Sequence, residues 1–319
     1  MGVLNHLSTL LLLSLLPPAL SHVVEKFSDV PQCKEFFLEG TTPNLTGILV
    51  GGTVRDQNRY KPICQLYNTI YRFATLYDTT NRIPVFSANT FTGKVDNKAV
   101  THQAADTDYL NNGKGLDRGH LFPCSYAPDA AAKKSTFTLT NAVPQASSFN
   151  RGSWRNMECR VRKSLLENCK DNNNKINAYV VTGAVPSKSN TLNNRVNIPD
   201  LMWTAYCCYN NNLKQWVAQA HRGENVPETK GKTLNPETLG ELEDKLNEIY
   251  HGVELFPKKC PRKPIQIVKE METKGDNERK RGREGRGEGS RAEKRSREGR
   301  GDELKECKEE DCDCECDEK

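Results

Sequence analysis

Asn150, Trp154 and Glu158 recur at four-residue steps, and that spacing constrains the fold more than any other feature of this chain. Each step of four turns an α-helix slightly past one full turn, so the three side chains fall within an arc of about 80° on one helix face. Trp154 can then pack inward while Asn150 and Glu158 line a cleft above it. Thirty residues before Asn150 stands the run Leu116-Asp117-Arg118-Gly119-His120-Leu121. Each residue alone has a bland explanation. Asparagine is a common helix N-cap, a helix glutamate is commonly solvated, Asp-Arg is often a surface ion pair, and a lone histidine is more often structural than catalytic. A histidine, an arginine, an amide oxygen and a carboxylate at set distances are another matter.

Those four groups are the parts needed to cut a phosphodiester. A base must take a proton from water, and positive charge must stabilise the pentavalent phosphorus and the leaving oxygen. His120 suits the base, because an unperturbed imidazole titrates close to working pH. Such a base contributes roughly 10²–10⁴-fold in rate. Arg118 brings a permanent charge and a fork of donors that fits phosphate oxygens. Gly119 allows the backbone to approach a neighbour, and Asp117 orients the loop or pairs with Arg118.

A second motif, Asn141-Ala142-Val143-Pro144-Gln145 followed by Asn150-Arg151-Gly152-Ser153-Trp154-Arg155-Asn156-Met157-Glu158, completes a pattern. Asp117 to His120 and this run together resemble the DNA/RNA non-specific endonucleases, the ββα-metal or His-Me finger nucleases. The resemblance covers roughly residues 55 to 250. It implies an α+β fold, a ββα-metal nuclease with a central antiparallel sheet. It also implies one Mg²⁺, with Mn²⁺ as a possible substitute, held by the Asn150 amide oxygen and several waters; few protein ligands is normal for Mg²⁺. By the same resemblance His120 is the general base, Arg118 stabilises charge, Glu158 positions metal-bound water, and Asn141 supports the site by hydrogen bonding. Asp117, Arg118 and Gln145 face the substrate. DNA or RNA would be cut with little sequence preference, since the chemistry acts on the backbone. Phe27-Ser28-Asp29-Val30-Pro31-Gln32-Cys33 and the tyrosine-rich stretch 67–77 are most similar to the vertebrate endonuclease domain-containing 1 proteins. Two rival readings stand beside the enzyme: a catalytically inactive protein that binds nucleic acid or another polyanion, and a secreted interaction protein whose tail carries the function.

The N-terminus reads as an export signal. Leu7 to Leu20 is an apolar run too short to span a bilayer comfortably, and Ala19-Leu20-Ser21 offers small residues for cleavage before His22. No later segment is apolar enough for a membrane span, so a secreted, soluble protein is expected. Twelve cysteines fit that compartment, eight in the body and four at 307, 312, 314 and 316. Eight allow about 105 pairings; a bridge from Cys33 to Cys260 would join the ends of the body. Asn44-Leu45-Thr46 is the one glycosylation sequon.

Residues 22–265 are expected to form the nuclease domain, and 266–319 a charged tail. From Glu270 onward there are 14 Lys/Arg and 18 Asp/Glu, a net of −4, which leaves +9 of the chain's +5 on the preceding residues. A basic body suits a polyanionic partner. Arg279 to Arg300 is Gly/Arg/Glu-rich with almost nothing to bury, so disorder is expected there. The four tail thiols have the number for zinc. Their Cys-x-Cys-x-Cys spacing among acidic residues is not the paired ribbon pattern, and intermolecular disulfides are the stronger expectation.

Local patterns complete the expectation. Tyr71–Tyr77 and Ile83–Phe86 flank a turn at 78–81, and Trp203–Tyr209 and Leu213–Ala220 flank Asn210-Asn211-Asn212, giving two hairpins. Thr136–Val143 and Asn177–Val185 read as strands. Ser153–Asn168 and the stripe Leu239, Leu242, Leu246, Ile249 ahead of Gly252 read as helices.

Overall fold

The computed structural model describes residues 19–92, 109, 113–171 and 173–263. Residues 1–18, most of the expected export signal, and the charged, cysteine-bearing tail lie outside the described residues. Among the described residues thirteen strands run in chain order: β1 (Ala19–Val23), β2 (Leu49–Val50), β3 (Thr53–Val54), β4 (Tyr60–Tyr67), β5 (Ile70–Asp78), β6 (Ile83–Phe91), β7 (Leu116–His120), β8 (Ala142–Ala146), β9 (Ala178–Val185), β10 (Thr191–Leu192), β11 (Val196–Asn197), β12 (Leu201–Asn210) and β13 (Gln215–Glu224). The helices are α1 (Pro31–Lys34), α2 (Ala130–Thr136), α3 (Arg155–Asn168) and α4 (Leu239–Tyr250). Seven strands form one antiparallel sheet in the order β1-β4-β5-β6-β9-β12-β13. This is the expected α+β class with a large antiparallel sheet. No helix among the described residues is long and apolar enough to cross a membrane.

Both faces of the sheet are covered, which explains the unbroken apolar centre of β9. Alternate residues of a strand point to opposite faces, and Val181 and Val185 join one core while Ala178, Val180 and Ala184 join the other. The first core takes Phe27, Phe37, Phe86 and Trp203 together with Leu239, Leu242 and Leu246 of α4. The second takes Phe73, Phe91, Phe122, Phe149, Trp154, Met157, Leu165 and Met202, and carries the β7–β8 ribbon and α3. Gly183 in mid-sheet has a steric reason: a Cβ there would lie 2.2 Å from Cζ2 of the buried Trp203.

The disulfides tie these layers together. Cys207 and Cys208 are adjacent on β12 and so point to opposite faces. Cys207 bonds Cys260, beyond α4, and Cys208 bonds Cys169, just past α3. Cys33 bonds Cys64 of β4. The bridge expected from Cys33 to Cys260 is therefore corrected: each terminal segment is stapled to the sheet rather than to the other. Cys124 and Cys159 are also disulfide-bonded.

Both expected hairpins form, as β5–β6 and β12–β13, and so do the helix from Leu239 and the strand at 178–185. The expected strand at Thr136–Val143 does not. Residues up to Thr136 finish α2, Leu139–Asn141 is a 3₁₀ turn, and the strand starts only at Ala142 and runs through Pro144. Asp129 caps α2 by accepting from Ala132 N at 2.8 Å. The Ser135 and Thr136 hydroxyls donate to the carbonyls of Ala132 and Lys133, both at 2.7 Å, at the last turn of that helix. β1 includes the expected cleavage junction; a cut before His22 leaves only His22 and Val23 opposite Cys64 and Ile63.

Candidate active site

Strand β7 pairs antiparallel with β8, placing Asp117 opposite Gln145, Arg118 opposite Pro144, Gly119 opposite Val143 and His120 opposite Ala142. The chain then passes straight from β8 into a helical turn at Ser147–Phe149, a π-helical turn at Asn150–Trp154, and α3. This β-β-α unit joins the two motifs of the sequence into one structure. Alternation puts Arg118 and His120 on one face of the ribbon and Asp117 and Gly119 on the other.

Asp117 organises its side of the unit. Its carboxylate accepts from Ser147 Oγ at 2.8 Å, from Asn150 Nδ2 at 3.1 Å, and from Arg151 Nε and Nη2 at 2.8 and 3.0 Å. Burial alone would raise this carboxyl's pKa; the hydrogen bonds from Arg151, Asn150 and Ser147 outweigh it and hold it below the usual value. A carboxylate that accepts from all these donors is engaged with its own fold, and Asp117 holds Asn150 in place. Asn150 is not an N-cap: it has αR dihedrals within a continuing helical run. With its Nδ2 donating to Asp117, the amide oxygen is the remaining acceptor of that side chain.

His120 is half-buried, its ring edge-on to Phe137 at a centroid distance of 4.5 Å. Its Nε2 is buried without a hydrogen-bond partner. Burial, helped by repulsion from Arg118, pulls its pKa down to about 4, so the ring is neutral at physiological pH. The Arg118 guanidinium lies 5.7 Å from the Tyr109 ring centroid.

Glu158 is half-buried on α3, one turn beyond Trp154, whose Nε1 donates to Glu158 Oε1 at 2.9 Å. Trp154 itself is core, as its position on the helix face required. Burial pushes the Glu158 carboxyl up to about 8, against the Trp154 hydrogen bond and the nearby Arg155 charge. Glu158 is thus no freely solvated helix residue.

Two expected site residues take supporting positions. Asn141, grouped with the catalytic residues for its support by hydrogen bonding, is fully buried, with its Oδ1 accepting from Phe122 N at 2.9 Å and its Nδ2 donating to Phe122 O and Thr136 O at 3.0 and 2.9 Å. Its partners are all backbone groups, so it fixes the loop just after His120. Gln145, expected to face the substrate, is 0% exposed and lies against Gly119. A Cβ at Gly119 would sit 2.0 Å from Gln145 Oε1, which is the physical reason for glycine there. The expected glycosylation site, Asn44, forms a backbone bridge with Glu254, and its Oδ1 accepts from Gly51 N at 3.0 Å.

Sequence reasoning missed Ser147, Arg151, Phe137, Asn225 and Glu228, which hold or border these groups. Arg151 carried a local signal, following Asn150 directly. Asn225 and Glu228 carried none, since they reach the site from 70 to 80 residues away.

The model of the DNA/RNA non-specific endonuclease family matches residues 61–257, the stretch from β4 to the segment after α4. The chain belongs to the DNA/RNA non-specific endonuclease family. It is 30% identical over 219 residues to human endonuclease domain-containing 1 protein, covering 58% of this chain and 40% of the relative. The mouse protein of that name is also 30% identical, over 212 residues, 56% of this chain and 38% of the relative. The chain thus spans about two-fifths of the length of these vertebrate relatives. A Nostoc nuclease is 31% identical over 98 residues, 30% of this chain and 33% of that protein. The crystal structure of an EndoG/EndoGI complex is similar with a TM-score of 0.45 and 20% identity, covering 57% of this chain and 82% of that one.

Proposed function

We propose that this family member is a divalent-metal-dependent endonuclease that hydrolyses DNA and RNA with little sequence preference, with His120 as base. The observation that carries the proposal is the hand-over from Asp117 to Asn150. The carboxylate takes the amide N–H, so the amide oxygen is presented on the same β-β-α unit that carries Arg118 and His120. Hard oxygen donors and few of them fit Mg²⁺, with Mn²⁺ as a substitute, and no group of three or more His, Cys, Asp or Glu suited to a metal occurs among the described residues. Asn150 would hold the cation, with Glu158 on the helix that follows the π-turn. When bound, the cation supplies Lewis-acid stabilisation of charge on the phosphate.

The chain's own groups do the rest. A neutral His120 accepts a proton from the attacking water, and its depressed pKa keeps it in that form. Arg118, on the same ribbon face, stabilises the charge that develops on the phosphate. Glu158 orients water through its carboxyl, with Trp154 fixing one of its oxygens. Nothing in this set reads base edges, hence the low sequence preference. Disulfides throughout the body support an exported protein in an oxidising compartment.

The test is nicking of plasmid DNA and of RNA by the full chain with Mg²⁺ and with EDTA, beside His120→Ala. Metal-dependent cutting that the variant loses supports the reading. Absence of cutting by the folded, disulfide-intact protein rejects it in favour of a polyanion-binding protein without activity. Deleting residues 270–319 separates the tail: cleavage survives if the β-β-α unit carries the function.

A further inference from the structure

The loop after β13 brackets Asn150 with two buried side chains. Asn225 accepts from Ala146 N at 2.8 Å and donates to Pro144 O and Pro199 O, each at 2.9 Å, which fixes the end of β8. Three residues later Glu228 grips the far side. Its Oε1 accepts from Ser153 N at 2.6 Å, its Oε2 accepts from Ser153 Oγ at 2.8 Å, and its own N–H donates to Ser148 Oγ at 2.9 Å. Its side chain is only 4% exposed, and Lys232 Nζ lies 4.0 Å from its Oε2. A carboxylate so enclosed is costly unless hydrogen-bonded.

What it encloses is the irregular turn that carries Asn150. Gly152 departs from helical geometry at φ −102° and ψ −113°, inside the π-helical stretch Asn150–Trp154. A Cβ on Gly152 would lie 2.6 Å from Glu228 Oε1, so the carboxylate occupies the room a side chain would fill. It also satisfies the Ser153 N–H at the break. A π-turn holds one residue more than an α-turn, and such turns are frequent at functional sites. If the turn relaxed to regular helix, residues before it would rotate by about 100° relative to α3. Asn150 would then leave Asp117.

We propose that Glu228 is a positioning residue for the cation site: it holds the Asn150–Trp154 turn in the form that presents the Asn150 amide oxygen. The proposal rests on the reading of Asn150 as cation ligand. It acts through Ser153 and Gly152, without contact to substrate.

The experiment is Mn²⁺ binding to the full chain without nucleic acid, read from the electron paramagnetic resonance signal of free Mn²⁺, with melting temperatures in parallel. Glu228→Ala should weaken Mn²⁺ affinity by about 10-fold or more, the range seen when outer-shell partners of metal ligands are removed. Glu228→Gln, which can still accept from Ser153, should restore most of it. Ser153→Ala removes one of the two bonds without disturbing the backbone and should lie between wild type and Glu228→Ala. Wild-type affinity in Glu228→Ala, or in Ser153→Ala where Glu228→Ala does not fold, overturns the positioning role whatever the melting temperature does. No Mn²⁺ binding by the wild type, or unchanged binding by Asn150→Ala, instead rejects the Asn150 reading itself.

Discussion

At the scale of single residues, the site depends on which ionisation state burial imposes. His120 sits in the half-buried ribbon with an unpartnered Nε2, and its pKa is pulled down to about 4. A base works in its deprotonated form, so lowering its pKa extends activity toward acid. The acid limb of kcat/KM should therefore fall well below pH 6.5, approaching 4; a midpoint at or above 6.5 would show that burial does not govern this ring. His221 tests the same physics away from the chemistry. It is buried on β13, near Arg160, with Nδ1 3.1 Å from Asn235 O, and its pKa is likewise lowered to about 4. The unfolded chain takes up this proton near pH 6.5 and the folded chain does not until about 4. Its contribution is thus intact above 6.5 and is lost as pH falls toward 4, a difference of up to about 3 kcal/mol. Melting temperature should drop over that window in the wild type and drop less in His221→Gln; equal slopes would remove His221 from the account.

At the scale of elements, the β7–β8 ribbon is held by a contact that only glycine permits. Gln145 Oε1 and Cβ occupy the space next to Gly119, at 2.0 and 2.7 Å from where a Cβ would be. Gly119→Ala must push a fully buried side chain, and overpacking of this kind costs roughly 1–3 kcal/mol. Activity should fall with the displaced ribbon, while Gly119→Ala combined with Gln145→Ala, which removes the Oε1 contact but leaves the Cβ at 2.7 Å, should recover part of the melting temperature; no recovery would mean that the glycine serves something other than the contact with the Gln145 amide. The ribbon also shows what a sequence can and cannot convey. Asp117 to His120 and the step from Trp154 to Glu158 were legible because one strand and one helix carry them, and short-range periodicity maps directly onto faces; the break at Gly152 interrupts the regular helix face expected to carry Asn150 as well. The hairpins were legible for the same reason. The segment 136–143 was not, because Ser135 and Thr136 bond backbone carbonyls one turn back and Asn141 clamps Phe122, choices that depend on α2 being capped by Asp129. Nor was the burial of Gln145, which depends on a partner strand 26 residues earlier, or the grip of Asn225 and Glu228 on the turn, which crosses 75 residues or more.

At the scale of the whole molecule, two neighbouring cysteines on β12 fasten the layers on either side of the sheet. Cys207 reaches Cys260 across a separation of 53 residues, and Cys208 reaches Cys169 across 39. Closing loops of these lengths removes unfolded-state entropy worth about 4 kcal/mol each on the chain-entropy view. The two should nonetheless differ in function. The bridge to Cys169 ends just past α3, the helix that carries Glu158, whereas the bridge to Cys260 ends beyond α4 on the opposite face. Replacing either pair with serines should lower the melting temperature by on the order of 10 °C. At a temperature where both variants remain folded, nuclease activity should fall more when the Cys169–Cys208 bridge is missing. Equal losses of activity would mean that the sheet transmits strain between its faces, and that the β-β-α unit is not set by its own layer alone.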